Sequence, residues 1–126
     1  MAVIGVGVDI VEVERIERAI TRWGEAFVRR IYTAREVERS AAPIVVGPRL
    51  AARFAAKEAV MKALGVGWRQ LSWQEIEIAN DPQGRPVVHL HGAARRIADQ
   101  LGVTDILVAL SHTHLHAVAN AVAIGK

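Results

Sequence analysis

Between Pro48 and Gly65 the chain reads PRLAARFAAKEAVMKALG, and no other stretch leaves it so little choice of conformation. Alanine, leucine, lysine, glutamate and methionine, uninterrupted by glycine or proline, make a strong helix former. Pro48 suits the start of that helix and Gly65 its end. At about 100° per residue, Leu50, Phe54, Met61 and Leu64 share one bulky apolar face, and Ala52, Ala55, Ala56, Ala59 and Ala63 lie on the other side. An alanine face lets a neighbouring backbone come close, and a helix apolar on both sides is predicted to be buried. Its charges are informative for that reason, because a buried charge needs a partner. Lys57 projects near the bulky stripe, with Arg53 one turn earlier. Glu58 and Lys62 sit at the seam between the faces, adjacent at i,i+4. They read either as a helix ion pair with snorkelling lysines, or as a carboxylate and cations held rigidly toward a phosphate or a metal.

Aliphatic side chains do the packing. The 126 residues are 52% hydrophobic but only 5% aromatic, which suits one domain over 1–126 and hints at a subunit interface. There is no cysteine, hence no disulfide framework, thiol nucleophile or cysteine zinc site. No apolar run is long enough to span a bilayer. MAVIGVGVDI lacks a basic leader and is interrupted by Asp9, so it reads as a strand rather than a signal peptide, and cytoplasm is the expected location. A formal charge of +3 fits an anionic partner without choosing among nucleotide, nucleic acid and acidic protein.

In strand 3–11, alternation places Ile4, Val6, Val8 and Ile10 on one face and Gly5, Gly7 and Asp9 on the other. The two glycines leave room for a close-packed helix or a ligand beside a single carboxylate, although Asp9 equally suits a cap for the next helix. GVGVD is not a dinucleotide fingerprint, because G-x-G-x-x-G is incomplete. Val13, Ile16, Ile20, Trp23, Phe27 and Ile31 carry helical spacing, broken at Gly24, with Arg15, Arg18, Arg22, Arg29 and Arg30 exposed. Thr33 and Glu36 form a capping box that starts a helix to about Arg39, and 40–48 is expected to be a loop. Trp73–Ala79 reads as a strand, 80–84 as a turn, Pro86–Leu90 as the returning strand, and Ala93–Leu101 as a helix ended by Gly102. Residues 105–112 and 116–124 read as a hairpin about Thr113–Leu115. His112, His114 and His116 on one strand face can bind zinc or copper, but a turn at Thr113–Leu115 splays them apart. His112 alone suits a phosphate contact.

Taken together, G-V-G-V-D-I-V-x-V-x-R-I at 5–16, T-x-x-E at 33–36, R-F-A-A-K-E-A-V-M-K-A-L-G at 53–65, I-E-I at 76–78, G-R-P at 84–86 and S-H-T-H at 111–114 run in order along essentially the whole chain. This pattern resembles the holo-[acyl-carrier-protein] synthase group of 4′-phosphopantetheinyl transferases. The resemblance implies an α+β fold, one domain per chain, with an antiparallel sheet packed around one long central helix, in a protein that forms trimers. It implies a Mg²⁺-dependent transfer of 4′-phosphopantetheine from coenzyme A to a serine of apo acyl carrier protein, releasing adenosine 3′,5′-bisphosphate, in fatty-acid or polyketide biosynthesis.

Carried over residue by residue, the resemblance makes Asp9 and Glu58 the Mg²⁺ ligands and, with Lys62, the catalytic group; Mg²⁺ takes few protein carboxylates and fills its shell with phosphate and water. Lys62 would stabilise charge on the pyrophosphate or leaving phosphate. The general base stays open between Glu58 and a metal-bound water. Arg53 and Lys57 match basic positions for coenzyme A phosphates, and His112, with Ser111 beside it, the position near the 3′-phosphate. Gly84, Arg85 and Pro86 of one chain would reach the adenosine site of the next in a homotrimer. Arg15, Arg18 and Arg22 form the expected docking face for an acidic carrier protein. His116 departs from the family, where an aromatic residue is common, and glutamates at 12, 14, 17 and 25 dilute the basic face. Two other classes compete. A basic module for nucleic acid is disfavoured by dispersed charge and few aromatics, and no membrane partner is expected. A silent homologue is disfavoured by the presence of Asp9, Glu58 and Lys62 together.

Overall fold

A computed structural model of the chain describes residues 1–39 and 46–126. Strand β1 (Ala2–Glu12) runs directly into helix α1 (Val13–Trp23), followed by α2 (Glu25–Ile31) and the short α3 (Ala34–Arg39). The long helix α4 (Val46–Leu64) leads to a 3₁₀ turn at Trp73–Glu75 and the hairpin β2 (Ile76–Asn80) and β3 (Pro86–Leu90). Helix α5 (Gly92–Gln100) and the hairpin β4 (Val103–His112) and β5 (His116–Gly125) complete the chain. β1, β5 and β4 form an antiparallel sheet in that order, and β2 pairs antiparallel with β3 in a second, two-stranded sheet.

α4 lies against the three-stranded sheet, and small residues on both sides let it do so. β5 turns Ala117, Ala119, Ala121 and Ala123 inward, each at most 1% exposed. β1 contributes Gly5 and Gly7, where an added Cβ would strike the carbonyl oxygens of Ala63 and Ala59. The helix is buried over most of its surface, as its composition predicts, from Leu50 through Ala55, Ala56 and Val60 to Leu64, with Lys62 left exposed. The opposite face of the sheet is apolar and open: Val6, Val8, Ile10 and Leu107 are each more than half exposed.

On its other side α4 buries a charge. Lys57 is 0% exposed; its ammonium lies 2.9 Å from Glu36 and donates to the carbonyls of Trp73 and Ile76. Glu36, equally buried, also accepts the N–H of Thr33 and of Ile78, each at 2.8 Å. The Thr33–Glu36 capping box therefore forms as expected, and its carboxylate ties α3, α4 and β2 together. Desolvation pushes the Lys57 ammonium below its ordinary pKa, against the pull of Glu36.

Three expectations change. α4 begins at Val46, so Gly47 and Pro48 lie in its first turn, where proline's missing N–H costs nothing; residues 40–45 of the expected loop fall outside the described residues. Trp73–Glu75 is a 3₁₀ turn, not strand, because Glu75 turns back to accept the Ser72 N–H at 2.7 Å and caps α5 through the Ala93 N–H at 2.8 Å. Trp23 leaves the apolar stripe at the Gly24 break and is 58% exposed, under the Arg22 guanidinium. Among the described residues no helix is long and apolar enough to cross a membrane.

Gly7→Ala is the sharpest test of this packing. The methyl would meet backbone atoms of both Ala59 and Ala63, so stability should fall by about 1–3 kcal/mol or more, read as a lower urea midpoint at unchanged m-value.

Candidate active site

β1 and α4 meet where their small residues end, and three charged side chains meet there with them. Asp9 follows Gly5 and Gly7 on the inward face of β1, only 19% exposed. The Lys62 ammonium lies 3.2 Å from the Asp9 carboxylate and donates to the Val8 carbonyl at 2.9 Å. Glu58, one turn before Lys62, is half-buried beside them. Its carboxyl is pushed above the ordinary range by burial first and by the Asp9 charge second, while Lys62 and Arg15 pull it back. Arg15 reaches this cluster from the first turn of α1, which continues directly from β1.

Two neighbouring carboxylates backed by a lysine are a donor set suited to a hard divalent cation that keeps most of its shell for water and phosphate oxygens. Among the described residues no group of three or more His, Cys, Asp or Glu could hold a metal. The histidine run does not converge. His112 pairs with the buried Ala117 and so faces α4, His114 lies in the turn, and His116 sits with Val118 on the open face.

A cavity of about 420 Å³ opens on the far side of α4 and is lined by Arg49, Arg53, Asn80, Gly84, Pro86 and His112 among others. Arg53, 7% exposed, donates to Asn80 at 2.7 Å.

Residues 5–119 match the model of the 4′-phosphopantetheinyl transferase superfamily. The chain belongs to that superfamily, in its holo-[acyl-carrier-protein] synthase branch. It is 50% identical over 115 residues to the holo-[acyl-carrier-protein] synthase of Solibacter usitatus, an alignment covering 88% of this chain and 90% of the relative. Among solved structures, the Helicobacter pylori holo-[acyl-carrier-protein] synthase in complex with coenzyme A superposes with a TM-score of 0.84 at 29% identity, covering 94% of this chain and 99% of that one. The Bacillus anthracis synthase in complex with coenzyme A (3′,5′-ADP) gives 0.80 at 30% identity, covering 98% of each. The α+β fold expected from the motifs is the observed one, and the chain is a phosphopantetheinyl transferase.

Within this family frame the structure sorts the expected residues. Asp9, Glu58 and Lys62 come together, and Arg53, Gly84, Pro86 and His112 line one cavity. Lys57 is a correction: its ammonium is spent inside the protein on Glu36 and two carbonyls and reaches no open cavity. Ser111 turns to the opposite face from His112, paired with Val118, and does not line the His112 cavity. Arg85 points into a neighbouring groove with Asp81 and Asp105. Arg15, Arg18 and Arg22 are exposed on α1, Arg18 beside Glu14 at 3.7 Å. Arg49 and Asn80 join the His112 cavity although no motif in the sequence marks them. Arg49 stood one turn before Arg53, a usable signal, whereas Asn80 was hidden by its role as a turn former.

A raised carboxyl pKa disfavours the folded state only when the group is ionised. The Glu58 penalty is absent below the ordinary carboxylate pKa and complete above its raised folded value. In EDTA, Glu58→Gln should therefore raise the melting temperature at neutral pH and lose that advantage on acidification. Added Mg²⁺ should raise the wild-type melting temperature and leave the variant's unchanged.

Proposed function

We propose that this transferase moves 4′-phosphopantetheine from coenzyme A onto a serine hydroxyl of an apo acyl carrier protein, in a Mg²⁺-dependent reaction that releases adenosine 3′,5′-bisphosphate. The observation that carries the reading is the meeting of Asp9, Glu58 and Lys62 at the β1–α4 joint. The bound coenzyme A of the Helicobacter and Bacillus relatives supports the choice of donor.

Phosphoryl transfer asks a protein mainly for positioning and charge neutralisation. The serine oxygen bonds to the β-phosphorus as its hydroxyl proton is released. The bond from that phosphorus to the bridging oxygen breaks, and the oxygen leaves with the electron pair on adenosine 3′,5′-bisphosphate. Asp9 and Glu58 would hold Mg²⁺, which when bound supplies Lewis-acid neutralisation of the pyrophosphate. Lys62 is pinned by Val8 and Asp9, so its ammonium is already aimed when charge develops. Arg53, Arg49 and His112 suit the phosphate-bearing adenosine end.

Arg53 and Lys62 are nine residues apart on α4, about 900° of rotation and so on opposite sides of a buried helix. Residues that face opposite ways suit a donor site completed by a second copy, as in a homotrimer with sites between protomers. The open apolar face at Val6, Val8, Ile10 and Leu107 suits that assembly. The exposed arginines of α1 suit the acidic carrier protein.

Two experiments test this. Intact mass spectrometry of an apo carrier protein with coenzyme A should show one added phosphopantetheine with Mg²⁺ and none with EDTA; Asp9→Asn should lower the rate about 10²–10³-fold in a folded protein. Transfer undiminished by EDTA would sink the metal assignment. Separately, reversing Arg15 and Arg22 to glutamate should raise KM for carrier protein, with the wild-type value rising with salt, and leave KM for coenzyme A unchanged. Equal changes in both constants would rule out a separate docking face.

A further inference from the structure

The turn between β2 and β3 does something beyond reversing the chain. Asn80, the last residue of β2, makes two side-chain hydrogen bonds of opposite sense. Its Oδ1 accepts from Arg53 Nη2 at 2.7 Å, and its Nδ2 donates to the Gly84 carbonyl at 2.9 Å. All three residues line the 420 Å³ cavity. An amide is the side chain that fits both ends. A carboxylate would set an oxygen against the Gly84 carbonyl, and a serine hydroxyl is too short to span from the guanidinium to the turn.

What Asn80 is fastened to is itself stiff. Asp81 Oδ1 accepts the N–H groups of Gln83 at 3.0 Å and of Arg85 at 2.8 Å. The backbone closes the turn through Asp81 N–H to Arg85 and Gly84 N–H to Asp81. Gly84 sits at φ +88°, a conformation that a side chain would strain. Asn80 and Pro86 are paired across the hairpin. The turn is thus a fixed post, and Asn80 is the strut from it to Arg53. A guanidinium binds phosphate through a planar fork whose value depends on its orientation. Holding the fork before the ligand arrives removes the cost of ordering a long side chain on binding.

We propose that Asn80 is a positioning residue for the donor, holding the Arg53 guanidinium in register with the phosphate-bearing end of coenzyme A and acting only through Arg53. The inference rests on the reading of this cavity as the place where that end of the donor binds.

The test is a double-mutant cycle of Asn80→Ala and Arg53→Ala in the full-length protein. Kd for coenzyme A is measured by calorimetry, with KM for coenzyme A, KM for carrier protein, kcat and melting temperature alongside. Asn80→Ala should weaken coenzyme A binding about tenfold and raise its KM in proportion, with kcat and KM for carrier protein within twofold of wild type. In the Arg53→Ala background the same change should add nothing. Should Asn80→Ala fail to fold, Asn80→Ser is read in the same way. An Asn80 effect that persists without Arg53, coenzyme A affinity unchanged in either single variant, or a loss shared equally by kcat and both KM values would each overturn the proposal. If wild type binds coenzyme A but transfers nothing, the proposed reaction fails while the cycle still decides the role of Asn80. If wild type does not bind coenzyme A, both fall.

Discussion

The approach of the α4 backbone to β1 sets the geometry of everything else. Gly5 and Gly7 place no side chain between the strand and the carbonyls of Ala63 and Ala59, and the inward alanines of β5 extend the same thin contact across the sheet. Such an interface gains little from the bulk of any one residue. It gains from contact between two backbones over a long stretch, since many weak dispersion contacts add up. Its consequence is chemical. Asp9, two residues beyond Gly7, comes within reach of a lysine one turn from Glu58 because strand and helix are closer than ordinary side chains would permit.

The opposite flank of α4 is held by different physics. Lys57 and Glu36 are both fully buried, and each is satisfied by backbone groups as well as by the other. A buried ion pair stabilises little in net terms, since desolvation offsets attraction, but losing one partner is severe. The pair does specify arrangement: it fixes α3, the 3₁₀ turn and the start of β2 against one point of the helix. From there the hairpin carries Asn80 and Gly84 to Arg53. A backbone contact on one side and a charge network on the other thus hold two groups of candidate site residues on opposite flanks of one helix.

Much of this was legible in the chain. Alternation separated Asp9 and the glycines from the apolar face of β1, and alanine composition announced a buried helix. The Thr33–Glu36 box and the 80–84 turn behaved as their chemistry requires, and the turn at Thr113–Leu115 does splay the histidines. The misreadings have one physical root. Ser72-x-x-Glu75 is also a capping pattern, overshadowed by the β-like residues that follow it. Trp23 keeps helical phase but has run past the core it would bury against. Lys57 and Lys62 are the same residue type on one helix, and only their surroundings make one an internal strut and the other half-exposed beside Asp9.

By itself the sequence determined the elements, the face each presents, the family and the residue types available for phosphoryl transfer, because periodicity, capping and turn chemistry are local properties. Tertiary structure alone decided which charges are spent on the interior and which stay near solvent. It alone showed that Asn80 braces Arg53. Those outcomes depend on burial and on partners distant in sequence: Lys57 meets Glu36 across 21 positions and Arg53 meets Asn80 across 27. A side chain's charge is written in its own codon, but the free energy of exposing or burying that charge is set by neighbours that only the folded chain brings together.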